Sequence, residues 1–253
     1  MWKLKFVGKK PLLKNPVLIE GLPGIGNVGK ITADFLIDEI KAKKIAEFQG
    51  EGLPHSAFIN EENLIELPSI ELFYKRNKNG KDVLIVAGDA QPVDDKSCYA
   101  FCEQVLNLAE EYKCSEIITL GGIALKQEPQ NPQVYCTGND KQKINSYVKN
   151  TSLRNDLYGI IGPIIGVSGV LPGLAKRRKI PAISLLAETY NHPLYIGIKG
   201  AKEILRIIKQ KLKVNLNVET LDKEIGEIEE ALNEKAKEIK EKQQKEFKAT
   251  YIG

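Results

Sequence analysis

The sequence has few of the side chains that most often form metal sites and catalytic pairs. Its 253 residues include only two histidines, His55 and His192, and four cysteines. Each histidine neighbours a proline in a predicted turn, and no two cysteines form the C-x-x-C pair of a zinc or redox site. Cys98 and Cys102 share one face of a predicted helix, where two metal ligands are conceivable but buried reduced thiols are favoured. The sequence therefore predicts no metal site.

Long apolar runs and a strong net charge are also absent. No run approaches the ~18 apolar residues of a membrane-spanning helix, and residues 1–14 lack the continuous apolar segment of a signal peptide. The 37 basic and 33 acidic side chains give a net charge of +4, which is too weak a bias to indicate nucleic-acid binding. We therefore expect a cytoplasmic globular protein with neither a membrane nor a nucleic-acid partner.

Predicted strands and helices alternate through most of the chain. Val17–Glu20 and Val83–Ala87 are short apolar runs typical of strands buried on both faces, and Asp94 is a predicted N-cap of a helix. This alternation predicts an α/β fold, with three α/β/α layers and a mostly parallel sheet, over residues 1–217. Within it, the apolar run 159–167 is interrupted by glycine and proline and is predicted to be a bent strand.

A different kind of segment follows, residues 218–253. Residues 219–248 contain one glycine and no proline, and their apolar side chains predict a helical arm with a narrow seam of coiled-coil type. The seam consists of Leu221, Ile225, Ile228, Leu232 and Ile239. Two interpretations stay open. The arm is either a solvated helix packed loosely on the domain, or a device that builds an oligomer or presents the last residues of the chain.

The stretch Gly24, Gly26 and Gly29 spells G-x-G-x-x-G between a predicted strand and a predicted helix. In dinucleotide-binding folds this pattern holds a pyrophosphate at the helix N-terminus, and an acidic residue about 20 positions later binds the ribose. Glu47 and Glu51 lie at about that distance. The alternative is steric, because glycines also let a strand turn sharply into a closely packed helix. The pattern alone leaves both interpretations open.

No catalytic constellation is visible elsewhere. Asp89 follows a predicted buried strand, where α/β proteins place their sites, but it has no identifiable partner. Ser168 lacks the G-x-S-x-G turn of a hydrolase nucleophile, and Glu188 at another strand end has no base–nucleophile pair beside it. The basic run 176–178 is better explained as a solvated helix end than as a phosphate site. The sequence therefore predicts no catalytic residue.

Several motifs occur together in the order of one known family. They are EGLPGIGNVG at 20–29, GDAQP at 88–92, TLGG at 119–122, and the segments GVSG at 166–169 through LAET at 186–189. Together they resemble the proteasome assembly chaperone family in its archaeal form. The resemblance implies a single α/β/α domain, similar in fold to nucleoside phosphorylases but without their chemistry or a cofactor. It also implies a homo-oligomer that binds proteasome α-subunits or the core particle.

Two alternatives to this function are kept. Archaeal relatives of the family have also been placed with ATP-grasp ligases, so the first is a nucleotide-dependent ligase, or another phosphate-binding enzyme, that uses the Gly24–Gly29 loop. No metal-binding and nucleotide-binding set of an ATP-grasp enzyme is visible in the sequence. The second is a protein that only assembles its own ring.

The end of the chain departs from the family pattern. Some members end in a hydrophobic–tyrosine–any tripeptide that docks between subunits of the proteasome outer ring. This chain ends in Tyr251, Ile252 and Gly253, so its tyrosine stands one place too early. Tyr251 could take the hydrophobic position and Ile252 the tyrosine slot, at a cost of roughly 1 kcal/mol for the lost phenol hydrogen bond. These residues form the predicted partner-binding tail.

Overall fold

The computed structural model describes residues 2–159, 162–192, 195–221 and 223. The chain divides into two units between Leu216 and Asn217. Of the predicted seam, Leu221 is described and its side chain is buried. Ile225, Ile228, Leu232 and Ile239 lie outside the described residues, as does the predicted tail of Tyr251, Ile252 and Gly253. The arm and the tail therefore stay predictions.

The first unit contains ten strands and five helices among its described residues. The strands are β1 (Lys3–Phe6), β2 (Val17–Gly21), β3 (Lys43–Gln49), β4 (Phe58–Ile59), β5 (Ile65–Glu66), β6 (Ile70–Lys75), β7 (Val83–Gly88), β8 (Glu116–Leu125), β9 (Val134–Gly138) and β10 (Ala182–Tyr190). The helices are α1 (Val28–Glu39), α2 (Asp95–Glu111), α3 (Lys141–Val148), α4 (Val167–Arg177) and α5 (Ile198–Leu212). No helix of the described part is long and apolar enough to cross a membrane.

Eight strands form one sheet in the order β1-β3-β6-β7-β2-β8-β10-β9. The four central strands β7, β2, β8 and β10 run parallel, while the pairs toward both edges are antiparallel. Helical crossovers explain the parallel centre, since parallel neighbours need a long connection. The carboxyl ends of the four central strands consequently meet at one edge of the sheet, where open α/β sheets hold their ligands.

Helices cover both faces of this sheet. Helices α1 and α5 pack together on one face, and α2 packs with α4 on the other. Side chains alternate accordingly: Leu18 of β2 belongs to the core beneath α2 and α4, together with Phe101 and Leu171. Cys98 and Cys102 are buried in the same core as free thiols, as predicted. The predicted three-layer α/β/α architecture is confirmed.

Two local predictions have different outcomes. Asp94 caps α2 as predicted, because its Oδ1 accepts a hydrogen bond from the Ser97 backbone N–H at 2.9 Å. The bent strand predicted over 159–167 is wrong: residues 162–166 are a loop and α4 begins at Val167. Gly166 has φ +83°, a left-handed conformation that ends extended structure and that glycine adopts readily. The loop packs closely on the first turn of α4 at one point, since a Cβ on Gly169 would overlap the carbonyl oxygen of Ile164.

Candidate functional site

A cleft of about 590 Å³ lies at the edge where the central parallel strands end. Its walls come from the glycine loop after β2, the end of β8, and the loop before α4. The lining is mainly apolar, and its polar side chains are Gln91, Tyr135, Ser168 and Glu188. A largely apolar concavity at this edge is the default candidate for a ligand site in an α/β fold. Whether the cleft can bind a ligand through polar contacts depends on whether these four side chains already have hydrogen-bond partners within the protein.

The glycine loop forms one wall of the cleft, but its glycines serve chain packing. Gly26 has φ +61°, and a Cβ there would overlap Oγ1 of Thr189 at the end of β10. A Cβ on Gly29 would lie 2.7 Å from the carbonyl oxygen of Leu120. Only Gly24, the first glycine of the pattern, has open space around it. These contacts support the steric interpretation of the loop.

The start of α1 is likewise engaged by the protein. A 3-10 turn, Ile25–Asn27, separates Gly24 from the helix, so the loop does not run straight into its first turn. The carbonyl oxygen of Gly26 accepts a hydrogen bond from the Gly197 N–H at 2.8 Å. The loop before α5 therefore closes over the turn. This geometry differs from a glycine loop that leads directly to open helix amides.

The proposed ribose carboxylates are too far away in the sheet. Glu47 lies on β3, and two strands, β6 and β7, separate β3 from the glycine-loop strand β2. In a dinucleotide-binding unit the strand that carries the acidic residue is the neighbour of the first strand. Glu47 instead lies opposite Glu71 of β6, and Lys44 forms ion pairs with both carboxylates. Glu47 therefore does not occupy the position of a ribose carboxylate, which the spacing in sequence had left open because it did not reveal the strand order.

A buried carboxyl group, Glu20, lies behind the glycine loop. Its side chain is fully buried in β2; Oε1 accepts from the Leu22 N–H at 3.1 Å, and Oε2 lies 3.2 Å from Ser168 Oγ. Burial raises the pKa of Glu20 to about 8, partly opposed by these two hydrogen bonds. Glu20 is therefore protonated at neutral pH. Ser168 Oγ in turn donates to the carbonyl oxygen of Leu120 at 3.0 Å.

Two more hydroxyl groups extend this network. Thr119 Oγ1 lies 2.8 Å from Ser184 Oγ and donates to the Ser168 carbonyl oxygen at 2.8 Å. The network thus joins β2, β8, β10 and the first turn of α4 below the cleft floor. Glu20 is not among the candidate residues predicted from the sequence. A single glutamate inside an apolar strand nevertheless indicates a buried carboxyl group with hydrogen-bond partners.

Two other polar side chains of the cleft, Gln91 and Glu188, form hydrogen bonds with backbone groups of the surrounding loops. Gln91 Nε2 donates to the Pro23 carbonyl oxygen at 2.7 Å, while its Oε1 accepts from the Val167 N–H at 3.3 Å. Gln91 thereby ties the glycine loop to the start of α4. Glu188 accepts from the Gln133 N–H at 2.9 Å and from the Tyr135 hydroxyl at 3.3 Å. Both side chains position loops around the cleft, which explains their presence at strand ends without a chemical step.

Among the remaining candidate residues, Asp89 and Arg178 form ion pairs at the surface. Lys30 Nζ lies 3.4 Å from Asp89 Oδ1 and 3.0 Å from Asp34 Oδ2. Arg178 forms ion pairs with Glu103 and Glu110, so the basic run 176–178 is a partly paired helix end, as predicted. Both histidines are exposed. In the described part of the chain, no three His, Cys, Asp or Glu side chains are grouped as a metal site would require.

Comparison with known families identifies the family of this chain. The model of the PAC2 family matches residues 18–236, which include the parallel centre of the sheet, the cleft lining and the glycine loop. The chain belongs to the PAC2 family. The resemblance drawn from the sequence motifs is confirmed by this match and by the solved structures described next.

Two solved structures from Pyrococcus furiosus illustrate the likeness. PbaB, described as an archaeal proteasome activator, is 31% identical, has a TM-score of 0.83, and aligns over 92% of this chain and 98% of its own. PbaA, described as an archaeal homolog of proteasome-assembly chaperone, is 23% identical, with a TM-score of 0.77 over 99% of both chains. Identity with PbaA is low enough that it supports the shared fold alone.

A curated relative from Methanocaldococcus jannaschii, the uncharacterized protein MJ1210, is 29% identical over 238 residues. The alignment covers 94% of this chain and 89% of the relative. None of the matched proteins named here is described as a ligase, so the ATP-grasp alternative gains no support.

Proposed function

We propose that this PAC2 protein is a non-catalytic, proteasome assembly chaperone-like protein that forms a homo-oligomer and binds proteasome subunits. The observation that carries the proposal is the 31% identity and TM-score of 0.83 with PbaB over 92% of the chain. At that identity and coverage, surfaces that recognise a partner can be shared as well as the core. The match to the PAC2 family over residues 18–236 supports the same proposal.

The geometry of the cleft supports a binding role over an enzymatic one. Ser168 Oγ lies 3.2 Å from Oε2 of Glu20, and burial raises the pKa of that carboxyl to about 8, which disfavours the ionised form that a general base needs. Gln91 and Glu188 make hydrogen bonds to backbone groups of the loops around them. Glu20 is also fully buried behind the glycine loop and does not line the cleft, so its carboxyl group has no access to a molecule bound there.

The contact with the proteasome is assigned to the tail. In this proposal Tyr251 fills an apolar slot between two adjacent α-subunits, and Ile252 takes the place of the family tyrosine, followed by Gly253. The lysine-rich and glutamate-rich segment before the tail would keep it in water and within reach of the ring. The tail proposal follows the family pattern and the shifted tyrosine of this sequence.

Native mass spectrometry of the full chain mixed with archaeal α-subunits and with complete core particles tests the proposal. We expect a complex that is lost when residues 251–253 are deleted and kept in the matched control Thr250→Ala. A complex that survives the deletion would move the contact to the α/β unit. No complex with either target, together with a retained nucleotide mass, would replace this function with the nucleotide-binding alternative.

A second candidate within the same class is proteasome activation. PbaB is described as an activator and shares more identity with this chain than PbaA, whose description refers to assembly. Peptide hydrolysis by preassembled core particles separates the two roles. An activator raises the hydrolysis rate of complete particles, whereas an assembly chaperone raises the yield of particles from free subunits and leaves complete ones unchanged.

A further inference from the structure

The cleft lies where β8 extends beyond its neighbour β2. Strand β2 pairs with β8 only as far as Thr119, whereas β10 continues beside β8 to Leu125. Segments from the glycine loop, β9, β10 and the loop before α4 enclose the rest of the cleft, which has a volume of about 590 Å³. Small-molecule sites have volumes of about 300–1,000 Å³. The cleft is therefore large enough to hold a small ligand.

The charge of the lining restricts the kind of ligand. Among the described residues that line the cleft, Glu188 alone has a charged side chain, and none is lysine, arginine or histidine. The other lining residues are mostly apolar, such as Ile123, Leu125 and Ile164. A phosphate or another anion in the cleft would meet a carboxylate and no cation. The lining therefore disfavours anionic ligands, in agreement with the steric interpretation of the glycine loop.

The Glu188 carboxylate is oriented by the protein but keeps acceptor positions for a ligand. Its Oε2 accepts from the Gln133 N–H at 2.9 Å, and its Oε1 accepts from the Tyr135 hydroxyl at 3.3 Å. Burial, and next the charge of Glu188, raise the pKa of Tyr135, so its hydroxyl keeps the proton that it donates. A carboxylate has about four acceptor positions. These two hydrogen bonds therefore leave about half of them for a bound donor.

The guanidinium beside this carboxylate is already paired. Arg154 lies over the Tyr135 ring, 5.1 Å from its centroid, and its Nε donates to Asp156 Oδ1 at 3.0 Å. The hydrogen bond to Asp156 is the main cause that raises the pKa of Arg154, and the charge of Glu188 comes last. Arg154 is also not among the residues that line the cleft. It therefore does not take the place of a cationic ligand.

The surface next to the cleft has the same sign of charge. A groove of about 540 Å³ adjoins the cleft and is lined by the carboxylates of Asp89, Asp94 and Asp95. Lys30 forms an ion pair with Asp89 but does not line the groove, and no described lining residue is lysine, arginine or histidine. The whole chain, in contrast, has a net charge of +4. Concavities lined by one sign of charge attract the opposite sign, so this edge favours a cation.

We propose that the cleft binds a small molecule with an apolar body and one cationic group, such as a primary amine, that pairs with Glu188. A wholly apolar ligand would remove water from the carboxylate without supplying a counter-charge. A primary ammonium group has three donors, which suit the acceptor positions left on Glu188. A concavity enclosed by segments of one chain favours a small ligand over a protein surface. This inference goes beyond the proposed function, which stands if the inference fails.

Titration calorimetry of the full chain with three matched probes tests the choice of charge. Phenethylamine, phenethyl alcohol and hydrocinnamate share one apolar body and carry a cationic, a neutral and an anionic group. We expect the amine to bind at least about 10-fold more tightly than the carboxylate at low salt, with the alcohol between them. Added salt should reduce the difference. Equal or tighter binding of the alcohol or the carboxylate, or no binding of the amine, would overturn the proposal.

The variant Glu188→Gln tests the pairing residue. Glutamine keeps an acceptor for the Gln133 N–H but removes the charge, so the affinity for the amine should fall about 10-fold while that for the alcohol stays unchanged. The matched control Glu111→Gln removes the same charge at the exposed end of α2 and should change neither affinity by more than about 2-fold. Equal affinities for the amine in both variants would contradict the role of Glu188. If Glu188→Gln does not fold, the three probes on the unmodified chain still decide.

Methyl NMR locates the bound probe. Phenethylamine should shift the methyl resonances of Ile123, Leu125 and Ile164, which line the cleft, and leave those of the exposed residues Ile59 and Ile65 unchanged. Shifts confined to Ile59 and Ile65 would place the amine on exposed apolar surface and refute the site. If a proteasome α-subunit shifts the cleft methyl groups and the amine does not, the cleft is a protein-binding surface and the small-molecule proposal is wrong.

Discussion

The glycine loop and the β4–β5 hairpin stand at the same edge of the sheet, and they use their residues in opposite ways. The loop has a sequence pattern known from nucleotide-binding proteins. At two of its three glycines, however, the space that a side chain would take is occupied by residues of the protein's own strands. The hairpin has no recognised motif, yet it leaves paired isoleucines in water. A glycine motif indicates which backbone conformations a loop can adopt. The exposed area of a side chain indicates whether another molecule can contact it.

The difference has an energetic origin. Close backbone approaches at Gly26 and Gly29 contribute to folding, so the loop is needed whether or not any ligand exists. Exposed isoleucines contribute little to the stability of a monomer and retain most of their apolar surface for association. Substitutions in the two regions should therefore affect different measurements. The predictions below test that separation.

The largest expected effect concerns Glu20, directly behind the loop. Its folded-state pKa of about 8 lies above the ordinary value of 4.5, so between these pH values the native state keeps a proton that the unfolded state has lost. Stability should therefore fall as pH rises from 4.5 to 8 and then level off, by about 3–5 kcal/mol in total. Glu20→Gln removes this group and should flatten that part of the profile.

Urea unfolding of both proteins from pH 4 to pH 9 measures the effect as the difference between the two profiles. Glutamine keeps an acceptor for the Leu22 N–H and a donor toward Ser168 Oγ, so the two proteins should be similar near pH 4.5. The variant should be the more stable one above pH 8. A constant difference across the range would mean that Glu20 is ionised in the folded protein.

A smaller effect is expected at the third glycine of the loop. Gly29→Ala places a methyl group 2.7 Å from the carbonyl oxygen of Leu120 and 3.1 Å from that of Leu22. Backbone atoms cannot move aside as a side chain would, so the free energy of unfolding should fall by about 1–3 kcal/mol. Thermal unfolding measures this loss directly.

The first glycine supplies the matched control for that experiment. Gly24 has extended φ of −160° and nothing near its missing Cβ, so Gly24→Ala should change stability by less than about 1 kcal/mol, in the stabilising direction. Equal losses at both positions would contradict the packing interpretation. Loss of nucleotide binding without loss of stability in Gly29→Ala would restore the phosphate interpretation.

Several elements of the fold could be read from local sequence. Val83–Ala87 is apolar at every position because β7 is buried on both faces, and Asp94 was identifiable because a cap is a local hydrogen bond. The strand order was not accessible in the same way. Ribose binding by Glu47 stayed open because its distance along the chain was available and its strand neighbours were not. Non-local pairing is set by the whole core and not by any short segment.

The candidate site was harder to predict than the fold for the same reason. The roles of Gln91 and Glu188 depend on carbonyl and amide groups 55 to 76 residues away, and no local pattern encodes such partners. The hairpin face was invisible because isoleucines in short strands normally indicate burial. Exposure of Ile59 and Ile65 is a property of the folded chain, and only the structure provides it.

The smallest effect is expected at the hairpin. Ile65→Thr keeps a β-branched side chain but replaces an ethyl group with a hydroxyl at a position that is 75% exposed. At a concentration where the monomer predominates, the free energy of unfolding should change by less than about 0.5 kcal/mol, because surface substitutions remove few contacts. The same replacement at Ile85, which is fully buried in β7, should cost at least about 2 kcal/mol, since it buries a hydroxyl. Chemical denaturation of both variants measures the two losses in the free energy of unfolding. If Ile65→Thr loses as much stability as Ile85→Thr, the hairpin packs within the monomer and its isoleucines are not available to another molecule. If the loss at Ile65 appears only as the protein concentration rises, the hairpin contributes its apolar surface to association.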